Sequence, residues 1–292
     1  MKSFISFVVF FVLGSSAWAQ GVRAVAGGNY SHTLMTGLGV AHPSATTAIG
    51  TNPAGLIYNN GMRLSHTSAI DDTRSGVIGQ QGLLVGGNGF FGAALGISDY
   101  ENLAADKSGF PSVGVGTLAQ AGWAGHIQKS RFAFGMSIVA PLTGSRMIVN
   151  SGSSTVNQPL PSYSDRGASV NAGVIFDPMG STRFGFTAYQ FGDKFESFGL
   201  GFAHDMLDNF TFVVDISYSK ASKTAEVVPG INFSTPYFSL AAAYGSKFMG
   251  EGWGYARDGF SGGIGFTMLK ELSITASYHQ VQAFTLGLTA QM

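Results

Sequence analysis

Residues 132–139 read Phe132-Ala133-Phe134-Gly135-Met136-Ser137-Ile138-Val139. Phe132, Phe134, Met136 and Ile138 are large and apolar, whereas the intervening Ala133, Gly135, Ser137 and Val139 are smaller or polar. Side chains of an extended chain point alternately to opposite faces, so this stretch predicts a strand with one apolar face and one small face. The pattern recurs at 210–219, where Phe210, Phe212, Val214, Ile216 and Tyr218 alternate with Thr211, Val213, Asp215, Ser217 and Ser219. It recurs again near the C-terminus, where Phe284, Leu286, Leu288 and Ala290 alternate with Thr285, Gly287, Thr289 and Gln291. From Gly61 onward no long apolar stripe of helical period interrupts it.

About fourteen segments carry the pattern, with twelve as the lower count: 61–70, 78–86, 89–98, 115–127, 131–140, 166–176, 183–191, 195–204, 210–219, 223–233, 236–245, 257–268, 271–279 and 282–290. Most reach the roughly nine to eleven residues with which a tilted strand crosses a bilayer. An apolar outer row and a small or polar inner row are what a transmembrane antiparallel β-barrel requires, and closure satisfies every backbone group in a solvent that offers no partners. A periplasmic β-sandwich would also alternate, but its water-facing side carries more charge. Here the charged fraction is 11%, against a globular norm of about 25%.

The connections point the same way. With the N-terminus placed in the periplasm, short turns fall near 87–88, 128–130, 177–182, 205–209, 234–235 and 269–270. The outward connections fall near 71–77, 99–114, 141–165, 192–194, 220–222, 246–256 and 280–281, and the longest gaps all lie on that side. This is the asymmetry of an outer-membrane barrel, and an even strand number returns the C-terminus to the periplasm. Trp253 and Tyr255 are candidates for an aromatic girdle at the membrane interface.

Composition excludes much else. The chain has 292 residues and no cysteine, which rules out a disulfide framework and a thiolate zinc site. A hydrophobic share of 45% argues against disorder. The 42 glycines follow no period of three, so collagen is excluded. A net charge of zero offers no electrostatic reason for a nucleic-acid partner. Gly86-Gly87-Asn88-Gly89 reads as a hairpin turn rather than a phosphate cradle. The histidines, His32, His42, His66, His126, His204 and His279, show no metal-ligand spacing. Ser277 and His279 share a strand face, a weak basis for hydrolysis. No enzyme activity, cofactor or metal is expected.

Before the strands come two other segments. Lys2 precedes an apolar run from Phe4 to Leu13, broken only by Ser6, and Ala17-Trp18-Ala19 has the small-x-small form of a secretory cleavage site. Residues 1–19 therefore read as a signal peptide. Residues 20–60 hold compact turn signals instead of a spanning strand. Ser44 is a candidate helix cap, Asn52 is another with Pro53 at the first helical position, and Gly55 suits a tight turn. This segment reads as a hatch entering the barrel, or as a periplasmic lead-in; residues 61–292 are the barrel.

The region from Gly27-Gly28 to Leu56, and above all Ala41, Ser44 to Ala48 and Asn52-Pro53-Ala54-Gly55-Leu56, resembles the start of the outer-membrane long-chain fatty-acid transporter (FadL-like) family and its short barrel relatives. The resemblance is specific over about thirty residues and architectural over the rest. It implies a fourteen-strand barrel with an N-terminal plug built around Asn52, Pro53, Ala54, Gly55 and Leu56. It also implies passive uptake of hydrophobic small molecules such as long-chain fatty acids, and assembly by the outer-membrane barrel machinery in contact with outer-membrane lipid. A hydrophobic ligand would then enter between the outer loops, past Leu103, Phe110, Met147, Ile148, Val149, Leu160 and Tyr163. The alternative is a structural or partner-anchoring barrel without transport.

Overall fold

The computed structural model describes residues 24–25, 28–29, 39–44, 46–71, 76–105, 111–127, 131–149, 155–159, 169–189, 197–219, 224–249, 259–269, 271–279 and 283–292. Fourteen strands form the barrel: β1 Asn60–Asp71, β2 Gly76–Asn88, β3 Phe91–Ala105, β4 Pro111–His126, β5 Phe132–Val149, β6 Ser169–Phe176, β7 Thr182–Tyr189, β8 Ser197–Leu207, β9 Phe210–Ser219, β10 Thr224–Ser234, β11 Phe238–Met249, β12 Gly259–Leu269, β13 Leu272–His279 and β14 Ala283–Gln291. Each pairs antiparallel with its neighbour in sequence. The ring closes where β14 meets β1, from Ala283↔Asp71 to Gln291↔Arg63. Closure pairs every barrel strand on both sides.

The alternation read from residues 132–139 sorts the two faces. On β5, Phe134 and Ile138 are 38% and 48% exposed, whereas Ala133 and Ser137 are each 1% exposed. Leu95, Ile97, Phe184, Phe186, Leu200, Ile216, Leu240, Phe266, Leu286 and Leu288 continue the apolar exterior. The inner positions are small or polar, among them Ser65, Gln81, Ser98, Gln120, Asn171, Thr187, Thr211, Asn232, Ser261, Ser277 and Thr285. A greasy outside around a polar inside is the inversion that a transmembrane barrel needs.

One end, called the lower end here, carries the start of β1 and the end of β14. Its hairpins are tight. Gly89 takes φ +77°, and the Asn88 side chain accepts the backbone N–H groups of Phe90 and Phe91 at 3.0 and 2.8 Å. An aromatic band rings the exterior at this end. The rings of Phe132 and Phe176 stack at 4.4 Å, Phe184 and Phe202 meet at 5.5 Å, and Phe238 and Phe266 at 5.4 Å. Phe176 and Phe184 are register partners, which makes the first four rings one continuous belt. Such a girdle suits a membrane–water interface. Trp253 and Tyr255, the girdle candidates from sequence, lie outside the described residues.

The strands at the opposite, upper end are longer than expected. Residues 99–105 and 111–114, taken from sequence as part of a loop 99–114, are paired strand from Asp99↔Thr117 to Ala105↔Pro111. Residues 141–149, taken as the start of loop 141–165, continue β5, and Thr155–Pro159 folds back along Ser145 to Val149. The apolar alternation lapses at Asp99, Glu101 and Asn102, yet the backbone ladder does not depend on it, because a neighbouring strand supplies the hydrogen bonds whatever the side chains are. Pro141 sits beside a register shift at Thr117/Leu118, where its missing N–H breaks no regular ladder.

Candidate functional site

The described part of the N-terminal segment lies inside the barrel. Ser44 starts its fold: the Ser44 carbonyl accepts from Ala48 N at 2.9 Å, and the Ser44 hydroxyl accepts from Thr47 N at 3.2 Å. These bonds close the turn that leads into a short helix, α1, Ala48–Thr51, whose N-cap position is Thr47 rather than the expected Ser44. Asn52 then breaks the helix with extended geometry (φ −149°, ψ 104°), and Pro53–Tyr58 forms a 3-10 turn with proline at its first position. The Asn52 side-chain oxygen caps that turn by accepting from Ala54 N at 3.1 Å. Gly55 serves differently from the sequence expectation. It lies within the 3-10 turn without a positive φ. Its missing side chain makes room for Pro43, which packs against it.

Asn52 is fully buried. Its amide nitrogen donates to the Val40 carbonyl at 2.7 Å, and it also lies 3.2 and 3.4 Å from the carbonyls of Val174 on β6 and Phe186 on β7. The one carboxamide thus caps the 3-10 turn, joins the two arms of the plug and ties both to the wall. A buried amide deprived of such partners costs about 1–3 kcal/mol, so the arrangement holds the plug in one place.

The wall is cut to receive it. A side chain at Gly173 would collide with Asn52, one at Gly135 with the Pro53–Ala54 backbone, and one at Gly185 or Gly201 with the Val40–Ala41 backbone. Gly135 and Gly173 are register partners across β5 and β6, and Gly185 and Gly201 are partners across β7 and β8. Glycine at four adjacent strands lets backbone lie on backbone. Farther round, Gly92 on β3 receives the Leu56 backbone in the same way.

Apolar and polar layers complete the seat. Ile49, Leu56 and Ile57 of the plug pack with Leu83, Val85, Ala94, Ala124, Ala133 and Ile175 of the wall. Ala41 packs with Ala203, Val213, Val228 and Ala243. Polar ties flank these contacts. Ser137 donates to the Ile49 carbonyl at 3.0 Å and accepts from Asn171 at 3.2 Å. Asp215 accepts from Val40 N at 3.1 Å. Buried Gln81 donates to Gln120 at 3.1 Å, and Gln120 donates to Ser98 at 2.9 Å.

Near the lower end, Arg183 donates to Asp205 at 2.6 Å, and Thr211 donates to the same carboxylate oxygen at 2.7 Å. His42 of the plug is influenced by this pair. Burial pushes its pKa down to about 4, the Arg183 guanidinium adds to the effect, and the Asp205 carboxylate opposes it. The ring is therefore neutral at neutral pH. On the other side of the plug lies a lumen cavity of about 570 Å³.

No family model matches the sequence, and no curated protein matches it. Solved structures do. The chain is similar to a Pseudomonas aeruginosa FadL homologue, with a TM-score of 0.61 at 10% identity over 93% of this chain and 99% of that one. It is similar to the P. putida toluene transporter TodX, with a TM-score of 0.63 at 11% identity over 91% of this chain and 99% of TodX. A deltaS2 mutant of the TodX monoaromatic hydrocarbon channel gives 0.56 at 13% identity over 90% and 97%. At these identities the likeness establishes the fold, and it is the barrel fold that the Asn-Pro-Ala resemblance implied.

Asn52, Pro53, Ala54, Gly55 and Leu56 come together as one buried element. Four of the expected entrance residues fall close together at the upper end. Leu103 and Met147 both stand opposite Val113, Ile148 stands opposite Ser112 and Val156, and Val149 opposite Thr155, so these four belong to strands rather than loops. Phe110, Leu160 and Tyr163 lie outside the described residues. Sequence reasoning passed over Gly173, Gly185, Gly201, Val40 and Asp215. For the three glycines and Asp215 the only signal was a small or polar residue on the inner row, which many other positions share; Val40 carried none.

Proposed function

We propose that this protein carries hydrophobic small molecules, long-chain fatty acids among them, inward across the bacterial outer membrane, with both chain termini on the periplasmic side. The observation that carries the reading is the plug hinge at Asn52, seated on the glycine lane of the wall. A barrel built only to anchor something has no need of a separate element seated in its lumen around a buried carboxamide. Likeness in fold to a toluene transporter supports the substrate class. Passage of a hydrophobic solute along the apolar side of the lumen requires a local rearrangement at Asn52 to Leu56, because α1 and the 3-10 turn occupy that side, against β2 to β6. No energy coupling is invoked; flow follows the gradient.

The test is uptake of labelled long-chain fatty acid, and separately of a labelled small aromatic hydrocarbon, by a transporter-deficient strain expressing the protein. At least one curve should rise above that of an equally abundant control barrel. If neither does, and a specific envelope partner copurifies instead, the protein is an anchor and the transport reading is lost.

A further inference from the structure

We propose that the lumen holds a second, hydrophilic route beside the plug, lined by hydroxyls and selective for small anions. The plug leans on one side of the barrel: its 3-10 turn packs on β2 to β6, and Val40 and Ala41 lie against β7 to β11. The remaining wall, β12 to β14 with β1 and the first residues of β11, faces the cavity of about 570 Å³, which has room for tens of waters. Its inner rows read Gly259-Ser261-Gly263-Gly265-Thr267, Ser273-Thr275-Ser277 and Thr285-Gly287-Thr289 in alternate positions, with Arg63, Ser65 and Thr67 on β1. Hydroxyls replace part of an ion's hydration shell without fixing its sign.

Arg63 sets the sign. It lines the cavity, its Nε is buried with no hydrogen-bond partner, and among the described residues no carboxylate pairs with it. Among the described residues no aspartate or glutamate lines the cavity, and residues 20–60 contain neither. A guanidinium with no carboxylate partner among the described residues, set in a hydroxyl-rich wall, favours anions over cations. Hydrophobic solutes gain nothing from such walls, so this route is separate from the uptake proposed above, and either can fail without the other.

The experiment is planar-bilayer recording of the whole protein in a potassium chloride gradient. Wild type should show small conductance steps with chloride favoured over potassium by about threefold or more. Arg63→Gln should bring the ratio towards one, and Arg63→Glu should invert it. Thr275→Trp should at least halve the conductance. Thr275 is flanked by Gly265 and Gly287, so the larger ring has room and the barrel should keep its heat-modifiable migration. Absence of steps in wild type, a ratio at or below one, or a ratio that neither Arg63 variant moves would overturn the proposal.

Discussion

The Asn52 side chain occupies the space that a side chain on Gly173 would need, although the two residues belong to different elements, one in the plug and the other on β6. The contact is two-sided. Glycine makes room, and the carboxamide that enters it reaches the Val174 carbonyl next along the strand.

A double-mutant cycle should expose this coupling. Gly173→Ala alone should loosen the plug by about 1–3 kcal/mol, because the carboxamide loses its place and its buried partners are left unpaired. In an Asn52→Ala background the same change should cost less, since the obstacle is gone. Protease susceptibility of the plug in the folded barrel reads both. Simple additivity would sink the idea that the two residues share one space.

Asn52→Ala alone should strip the cap from Ala54 N and the tie from the Val40 carbonyl. The expected result is lower uptake of hydrophobic solute at an unchanged amount of heat-modifiable barrel. Asn52→Asp should not restore it, because a carboxylate can cap Ala54 but cannot donate to the carbonyls of Val40 or Val174.

Acid should loosen the plug through His42. Its folded pKa, about 4, lies below the ordinary value of 6.5. The unfolded or undocked ring therefore binds a proton first as pH falls. Its contribution is complete above pH 6.5 and is lost progressively down to about pH 4, amounting to on the order of 3 kcal/mol. Arg183→Met should move the His42 transition up and Asp205→Asn should move it down, following the signs of the two neighbours. Hydrogen exchange of residues 46–59 across this pH range, compared with His42→Gln, checks it; an identical pH response in the variant would assign the effect elsewhere.

Topology is open to direct labelling. A tag at Ser153, in the long connection between β5 and β6, should react on intact cells, and one at Gln128 to Ser130 should react only after the outer membrane is opened. The reverse result would turn the barrel over.

The fourteen strands were legible because their signal is local. Phe132 to Val139 states its own period within eight residues, and an apolar face with a small face leaves few ways to satisfy the backbone in lipid. The Asn52-Pro53 cap was legible for the same reason, as a turn signal complete within three residues. The strand ends at 99–105 and 141–149 were not, since above the apolar belt the ladder continues on backbone hydrogen bonds that side-chain pattern does not report. Nor was the seat of the plug. Gly135, Gly173, Gly185 and Gly201 look like any other small residues on an inner row until the register of four strands sets them side by side under Asn52 and Val40. Likewise, only the tertiary structure places Arg63 at the cavity with no carboxylate partner among the described residues. Periodicity belongs to neighbours in the chain and is written there. What lies across a lumen is decided by closure and packing, which bring together residues more than a hundred positions apart.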